Sequence, residues 1–155
     1  EELNEFLKTN YISCKEERMI FTMNDVFITA DSAFNEYFSE NNIIKDEFIN
    51  DKFSFWRSRN IIEKHWIKID FLNVKKINGI IVEHHRKNGY VTRDYSIYIK
   101  SKDKLKLFKR IKNNTKVINE FVFQNGVELS SIKIIIDNPN LGIDFSARIR
   151  KINLF

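Results

Sequence analysis

Short apolar runs recur along this chain, with turn chemistry between them every ~8–12 residues, and that spacing admits few folds. The runs are Val26–Ala30, Trp66–Phe71, Ile77–Glu83, Tyr95–Lys100, Leu105–Ile111, Phe121–Phe123, Ile132–Ile136 and Ala147–Phe155, with Arg18–Met23 ahead of them. In Trp66–Phe71, Ile67, Ile69 and Phe71 share one side and Lys68 and Asp70 the other, the period of two of a half-buried strand. Ile77–Glu83 is nearly all apolar, as in a strand covered on both faces. Asn88-Gly89, Asn125-Gly126 and Asn138-Pro139-Asn140 supply positive or fixed φ between runs. Asn78-Gly79 lies inside a run and reads as a strand start or a bulge. Helical period is weak. ELNEFLKTN gives one or two turns at the N-terminus, and Ser39 to Ile49 a short surface helix with Ser39 as N-cap. No helical stretch is long enough to cross between parallel strands, so the expectation is an all-β, antiparallel sandwich or barrel.

Fourteen Phe, five Tyr and two Trp in 155 residues supply one aromatic-rich core. No apolar run approaches the ~20 residues that span a bilayer. The net charge is +5, and the one concentrated basic stretch, KSKDKLKLFKRIK from Lys100 to Lys112, reads as a solvated strand face rather than a nucleic-acid patch. Cys14 is the only cysteine; no intrachain disulfide can form, and it reads as a small buried hydrophobe. EELNEFLKTN has no signal-peptide pattern and no initiator Met, which suggests a domain of a longer protein or a mature form. Residues 1–20 read as an N-terminal extension with helical turns, and 21–155 as the sandwich.

Catalytic patterns are missing. There is no glycine-rich phosphate loop, no nucleophile elbow and no Cys or His pair at zinc spacing. Adjacent His84 and His85 point to opposite faces, so one strand cannot offer both to one metal. What stands out is three loops of planar, bidentate side chains. Arg57 and Arg59 lie in a loop bracketed by Trp56 and Trp66. Arg86, Asn88, Tyr90 and Arg93 follow the His pair, and Asn140 and Phe145 lie in DNPNLGIDF. Arg, Asn and His exchange hydrogen bonds with vicinal hydroxyls, and an aromatic face stacks on the apolar face of a sugar ring.

From about Val26 to Phe155 the chain resembles the discoidin, or coagulation-factor type C, domain and its bacterial relatives, the family 32 carbohydrate-binding modules. VFITADS is similar to the family's opening ITASS, and FSENNIIKDEFINDKFSFWRSR to its ENAIDG turn leading to TFWRS. HWIKIDFLNVKKINGIIVE matches WIQIDLG…ITGI, YVTRDYSIYIKSKDK matches YVKDYEVYVSSDG, and SSIKIIIDN with ARIRKINLF matches the closing strands. The resemblance implies a galactose-binding-like jelly-roll β-sandwich of about eight antiparallel strands that binds ligands through loops at one end. It implies a non-catalytic glycan-binding module, with a protein-interaction adaptor as the alternative. An enzyme would need clustered acids or a metal site. The family places an Arg at the end of the buried strand, which Arg86 matches; Arg86 and Arg59 are expected to donate to hydroxyls or an acidic sugar carboxylate, with Arg57, His85 and Asn140 as further ligand-binding candidates. Asn88 sets orientation, Tyr90 or Phe145 stacks, and Trp56 is a core anchor. Many members hold a structural calcium through two acids; here Lys45 and Lys151 stand at those places, with Asp46 the substitute for the first if the register slips by one, and no calcium and no cofactor are expected. Vertebrate lipid binders carry a terminal disulfide and paired apolar loop tips, and the chain shows neither pattern. A monomer, no nucleic acid and no membrane insertion are expected. The compartment stays open between secreted, from the resemblance, and cytoplasmic, from the single cysteine.

Overall fold

Two strands set the architecture in the computed structural model, which describes residues 25–44, 54–102 and 104–155. β3 runs His65–Glu83 and β6 runs Ile118–Asn138, and they pair antiparallel along most of their length. Each is long enough to serve both layers of a jelly-roll sandwich. The other strands are β1 (Val26–Ala30), β2 (Trp56–Arg57), β4 (Asp94–Ser101), β5 (Lys104–Ile111), β7 (Arg148–Ile149) and β8 (Lys151–Leu154). The N-terminal half of β3 and the C-terminal half of β6 build a five-stranded layer in the order β1-β3-β6-β4-β5. Their other halves, with β8 on Glu83 and Ile80 to Val82, make the second layer, and β2 pairs with β7 beside it.

Period-two burial holds in the N-terminal half of β3 and the C-terminal half of β6, whereas Gly79 to Val82 of β3 and Tyr95 to Ile97 of β4 are buried without a break. Ile67, Ile69 and Phe71 are buried while Lys68 and Asp70 are half-exposed, as their alternation predicts. Ile132, Ile134 and Ile136 of β6 and Tyr95 and Ile97 of β4 close the same core against Ile80, Val82, Ile152 and Leu154. Full burial of one such aliphatic side chain contributes about 1.5–3 kcal/mol. Trp56 is fully buried, and its indole N–H donates to the Ser32 carbonyl at 2.9 Å. β5 lies at the sheet edge with its lysines in solvent, where charge deters strand addition.

Three expectations change in detail. The runs 66–71 and 77–83 are one strand, and so are 121–123 and 132–136. Asn78-Gly79 marks a bulge: Ile77 faces Val127 but Gly79 faces Val122, so residues 123–126 stand against Asn78 alone. Asn125-Gly126 therefore sits in that bulge and not in a turn between separate strands. Where a surface helix from Ser39 was expected, Glu40–Ile44 form a 3-10 turn that buries Asn42 and Ile43. Ser39 Oγ accepts from the Asn41 N–H at 3.3 Å, the capping role expected of it. Asn88-Gly89 is a turn, with Gly89 at φ +86°, while Asn138 is the last residue of β6 and the loop after it starts at Pro139. The N-terminal turns, Arg18–Met23, Cys14, the proposed boundary at 20/21, Lys45 and the rest of the helix to Ile49 lie outside the described residues.

Candidate functional site

The loops that follow β2, β3 and β6 meet at one end, and two hubs, one buried and one half-buried, hold them there. His65 opens β3 and is fully buried. Its Nδ1 donates to Asp31 Oδ2 at 2.8 Å, and its Nε2 faces the carbonyls of Phe145 at 2.7 Å and Ile61 at 3.1 Å. Both nitrogens thus meet acceptors only, which the doubly protonated ring satisfies. Burial pushes the His65 pKa down, but the hydrogen bond and charge of Asp31 and the two carbonyls outweigh it and hold the pKa above its ordinary value. Burial likewise raises Asp31, and the bonds from His65, the Trp66 N–H and Ser32 outweigh it, so its pKa lies below normal.

Asp144 is the second hub. Arg148 binds its two oxygens at 2.9 and 2.7 Å, and Asn140 Nδ2 donates to Oδ1 at 2.8 Å. The Arg148 bonds lead in lowering its pKa to about 2, against some burial and with help from the Ser146 N–H. Arg57 lies 3.6 Å from Asp144, donates to Ser146 Oγ at 3.2 Å and lies over the Phe34 ring at 3.7 Å. Asn140 Oδ1 accepts from the N–H groups of Ile143 and Asp144. The Phe145 N–H donates to Asn60, and the Leu141 N–H to the Gly89 carbonyl, so the third loop touches both others.

Past the end of β3 a pocket of about 200 Å³ opens, lined by Phe55, His85, Arg86 and Arg150. Glu83 Oε1 accepts from Arg86 at 3.0 Å and lies 3.6 Å from Arg150 Nε, so one carboxylate holds both guanidinium groups. The His85 ring stands edge-on to Phe55 at 4.8 Å and to Tyr90 at 5.3 Å. Burial, then Arg148, Arg150 and Lys87, lower its pKa to about 4, so it is neutral at pH 7. Its Nδ1 accepts from the Lys87 N–H at 3.1 Å, which places the ring proton on Nε2 as a donor. Guanidinium and imidazole donors against a phenyl ring suit a polyhydroxylated ring with one apolar face.

The structure brings His85 and Arg86 together at this pocket, with Tyr90 behind His85. Asn88 is exposed in the next turn, and Arg59 is exposed on the first loop, with its backbone N–H bonded to Ser32 Oγ. Arg57 and Asn140 are spent internally: Asn140 is 2% exposed, and its amide organises the third loop. Tyr90 lies with Arg148 at 4.3 Å and Lys87 at 5.2 Å from its ring centre, so cations already occupy its π faces. Phe145 is half-exposed beside Ile61, Ile62, Leu141 and Ile143, an apolar rim that separate sequence letters did not reveal as loop tips. His84, unlike His85, is fully buried, bonded to Asn119 at 2.7 Å and lowered by burial to about 4. Sequence reasoning missed Phe55, Glu83 and Arg150. Glu83 and Arg86 at i, i+3 around the His pair were the available signal. Asp31, Glu63 and His65 could bring ligand atoms within 4.8 Å of one another, but His65 Nδ1 already bonds Asp31. Of the two lysines at the calcium places, Lys151 lies in β8 opposite Glu83, and an ammonium there does not suit a cation that demands oxygen ligands.

The F5/8 type C domain model matches residues 27–149. No curated protein matches the chain in sequence. Among solved structures, the family 32 carbohydrate-binding module of Streptococcus pneumoniae EndoD superposes with a TM-score of 0.74 at 11% identity, covering 90% of this chain and 99% of that one. The family 32 module of Clostridium perfringens NanJ, in complex with galactose, gives 0.68 at 14% identity over 85% and 94%. A Ruminococcus gnavus GH29 fucosidase, in complex with fucose, gives 0.76 at 15% identity, covering 95% of this chain but 28% of that protein. At these identities the likeness is one of fold.

Proposed function

The chain belongs to the F5/8 type C (discoidin) domain family, and from that premise we propose that it is a non-catalytic carbohydrate-binding module serving as an accessory domain. The observation that carries this reading is the pocket of Phe55, His85, Arg86 and Arg150, with Glu83 aligning its two arginines. About 200 Å³ suits one sugar ring. His85 Nε2 and the Arg86 edge donate to adjacent hydroxyls, and Phe55 offers the apolar wall. Solved relatives of the fold hold galactose and GalNAc-β-1,3-galactose, which makes galactose-type sugars the first ligands to try. A site this open binds on the order of 0.1–1 mM and gains strength from multivalency.

A glycan array followed by calorimetry tests the reading. The wild type should bind at least one galactose-type glycan, and Arg86→Ala should weaken it by about tenfold, the cost of one charge-assisted contact. An array with no glycan above background would sink the proposal. The apolar rim of Ile61, Ile62, Leu141, Ile143 and Phe145 supports a second reading, a protein-interaction domain. In that case Ile62→Ser abolishes partner capture while Arg86→Ala leaves it intact.

A further inference from the structure

Away from the loop pocket, the outward face of the five-stranded layer carries a second concave surface. A depression of about 470 Å³ opens there between Lys64, Asp137, Ser96, Tyr98, Arg110 and Lys112. The register explains how it forms. Trp66 faces Ile135, Ile135 faces Ser96, and Ser96 faces Arg110, so one row crosses β3, β6, β4 and β5. At ~4.8 Å between strands this row spans roughly 14 Å, enough for a short oligosaccharide. In the next row Lys133 lies between Lys68 and Tyr98.

Charge on this face is unbalanced. Lys64 pairs with Asp137 at 3.2 Å and Lys68 with Asp70 at 3.4 Å. Among the described residues Arg110, Lys112 and Lys133 meet no carboxylate, a local excess of cations in a chain whose net charge is +5. Arg110 Nε donates to the buried Ser96 Oγ at 3.4 Å, which turns the outer edge of its guanidinium to solvent. Protection of the sheet edge accounts for cations on β5. It does not account for Lys133, which lies on β6 between β3 and β4.

We propose that this face is a second ligand surface, independent of the loop pocket, that takes a linear acidic polysaccharide with carboxylate or sulfate groups seated among Arg110, Lys112 and Lys133. Nucleic acid fits less well because single strands need open rings for base stacking. Here Lys133 Nζ covers the Trp66 ring at 4.7 Å, and Tyr98 is a half-buried wall of the depression. Anionic groups remain the feature that the face can recognise.

Calorimetry with a heparin oligosaccharide and an oligogalacturonate separates sulfate from carboxylate recognition, with dextran and oligothymidylate alongside. One of the two acidic sugars should bind, more weakly as salt rises, and dextran should not. Arg110→Gln with Lys112→Gln should cost at least about tenfold. Lys76→Gln with Lys116→Gln, the same charge change at two other exposed sites, should leave affinity unchanged, and so should Arg86→Ala. The proposal is overturned by silence from both acidic sugars, by binding of dextran, by equal loss in the control pair, by loss in Arg86→Ala, or by oligothymidylate binding as tightly.

Discussion

His65 shows how one side chain governs the loops around the pocket. It faces Asp31, with Glu63 at 3.8 Å the other charged group near the ring. Its raised pKa means that the folded chain keeps a proton which the unfolded chain releases near pH 6.5. The stabilisation is complete below that pH and is lost as pH rises through the folded value, when Nε2 becomes a lone pair against two carbonyls. Histidine NMR should therefore show His65 still protonated when free histidine is neutral. Exchange of the Phe145 amide should quicken with pH beyond the intrinsic rate in the wild type and lose that extra dependence in His65→Gln; an identical profile in both would refute the tie. His84 and His85 act with the opposite sign. Each is held neutral to about pH 4, so stability falls as pH drops from 6.5 toward 4, at up to about 1.4 kcal/mol per pH unit for each group, less for the half-exposed His85. Thermal melts should peak near neutrality, and a monotonic pH profile would contradict these assignments.

At the scale of elements, the bulge between β3 and β6 is where the two layers part. A Cβ on Gly79 would overlap the Phe155 ring and lie 2.6 Å from the Phe121 carbonyl. Gly79→Ala should cost roughly 1–3 kcal/mol, read as a lower urea midpoint with an unchanged m value. Most strands were legible in the sequence because period two survives wherever one face meets the core, as in Trp66–Phe71. The length of β3 and β6 was not. Asn125-Gly126 signals a hairpin only when its two flanks pair with each other, and here both flanks pair with β3. The candidate site was half legible for a related reason. His85 and Arg86 sit together in HHR, whereas Phe55 and Arg150 reach the pocket from β2's approach and from the link between β7 and β8. Asn140 and Arg57 have the chemistry of ligand residues, but whether an amide or guanidinium faces solvent or a neighbouring loop depends on packing that no local pattern records.

For the molecule as a whole, the two proposed surfaces would divide recognition between a small polar pocket at the loop end and a broad cationic sheet face. Neither would hold a ligand tightly alone, so attachment of several copies should raise apparent affinity without changing any contact. Surface display of the domain at two densities, probed with one multivalent glycan, checks this: retention should rise more than in proportion to density. The sharing of β3 and β6 between layers also bears on how the chain reaches its native state. Neither layer can complete its pairing until these two sequence-distant strands have met, so the rate is governed by closing a long loop rather than by local hairpins. Refolding should be slow for the chain's size, in milliseconds to seconds, and both layers should gain protection in one step. A half-built sandwich should therefore not accumulate during refolding.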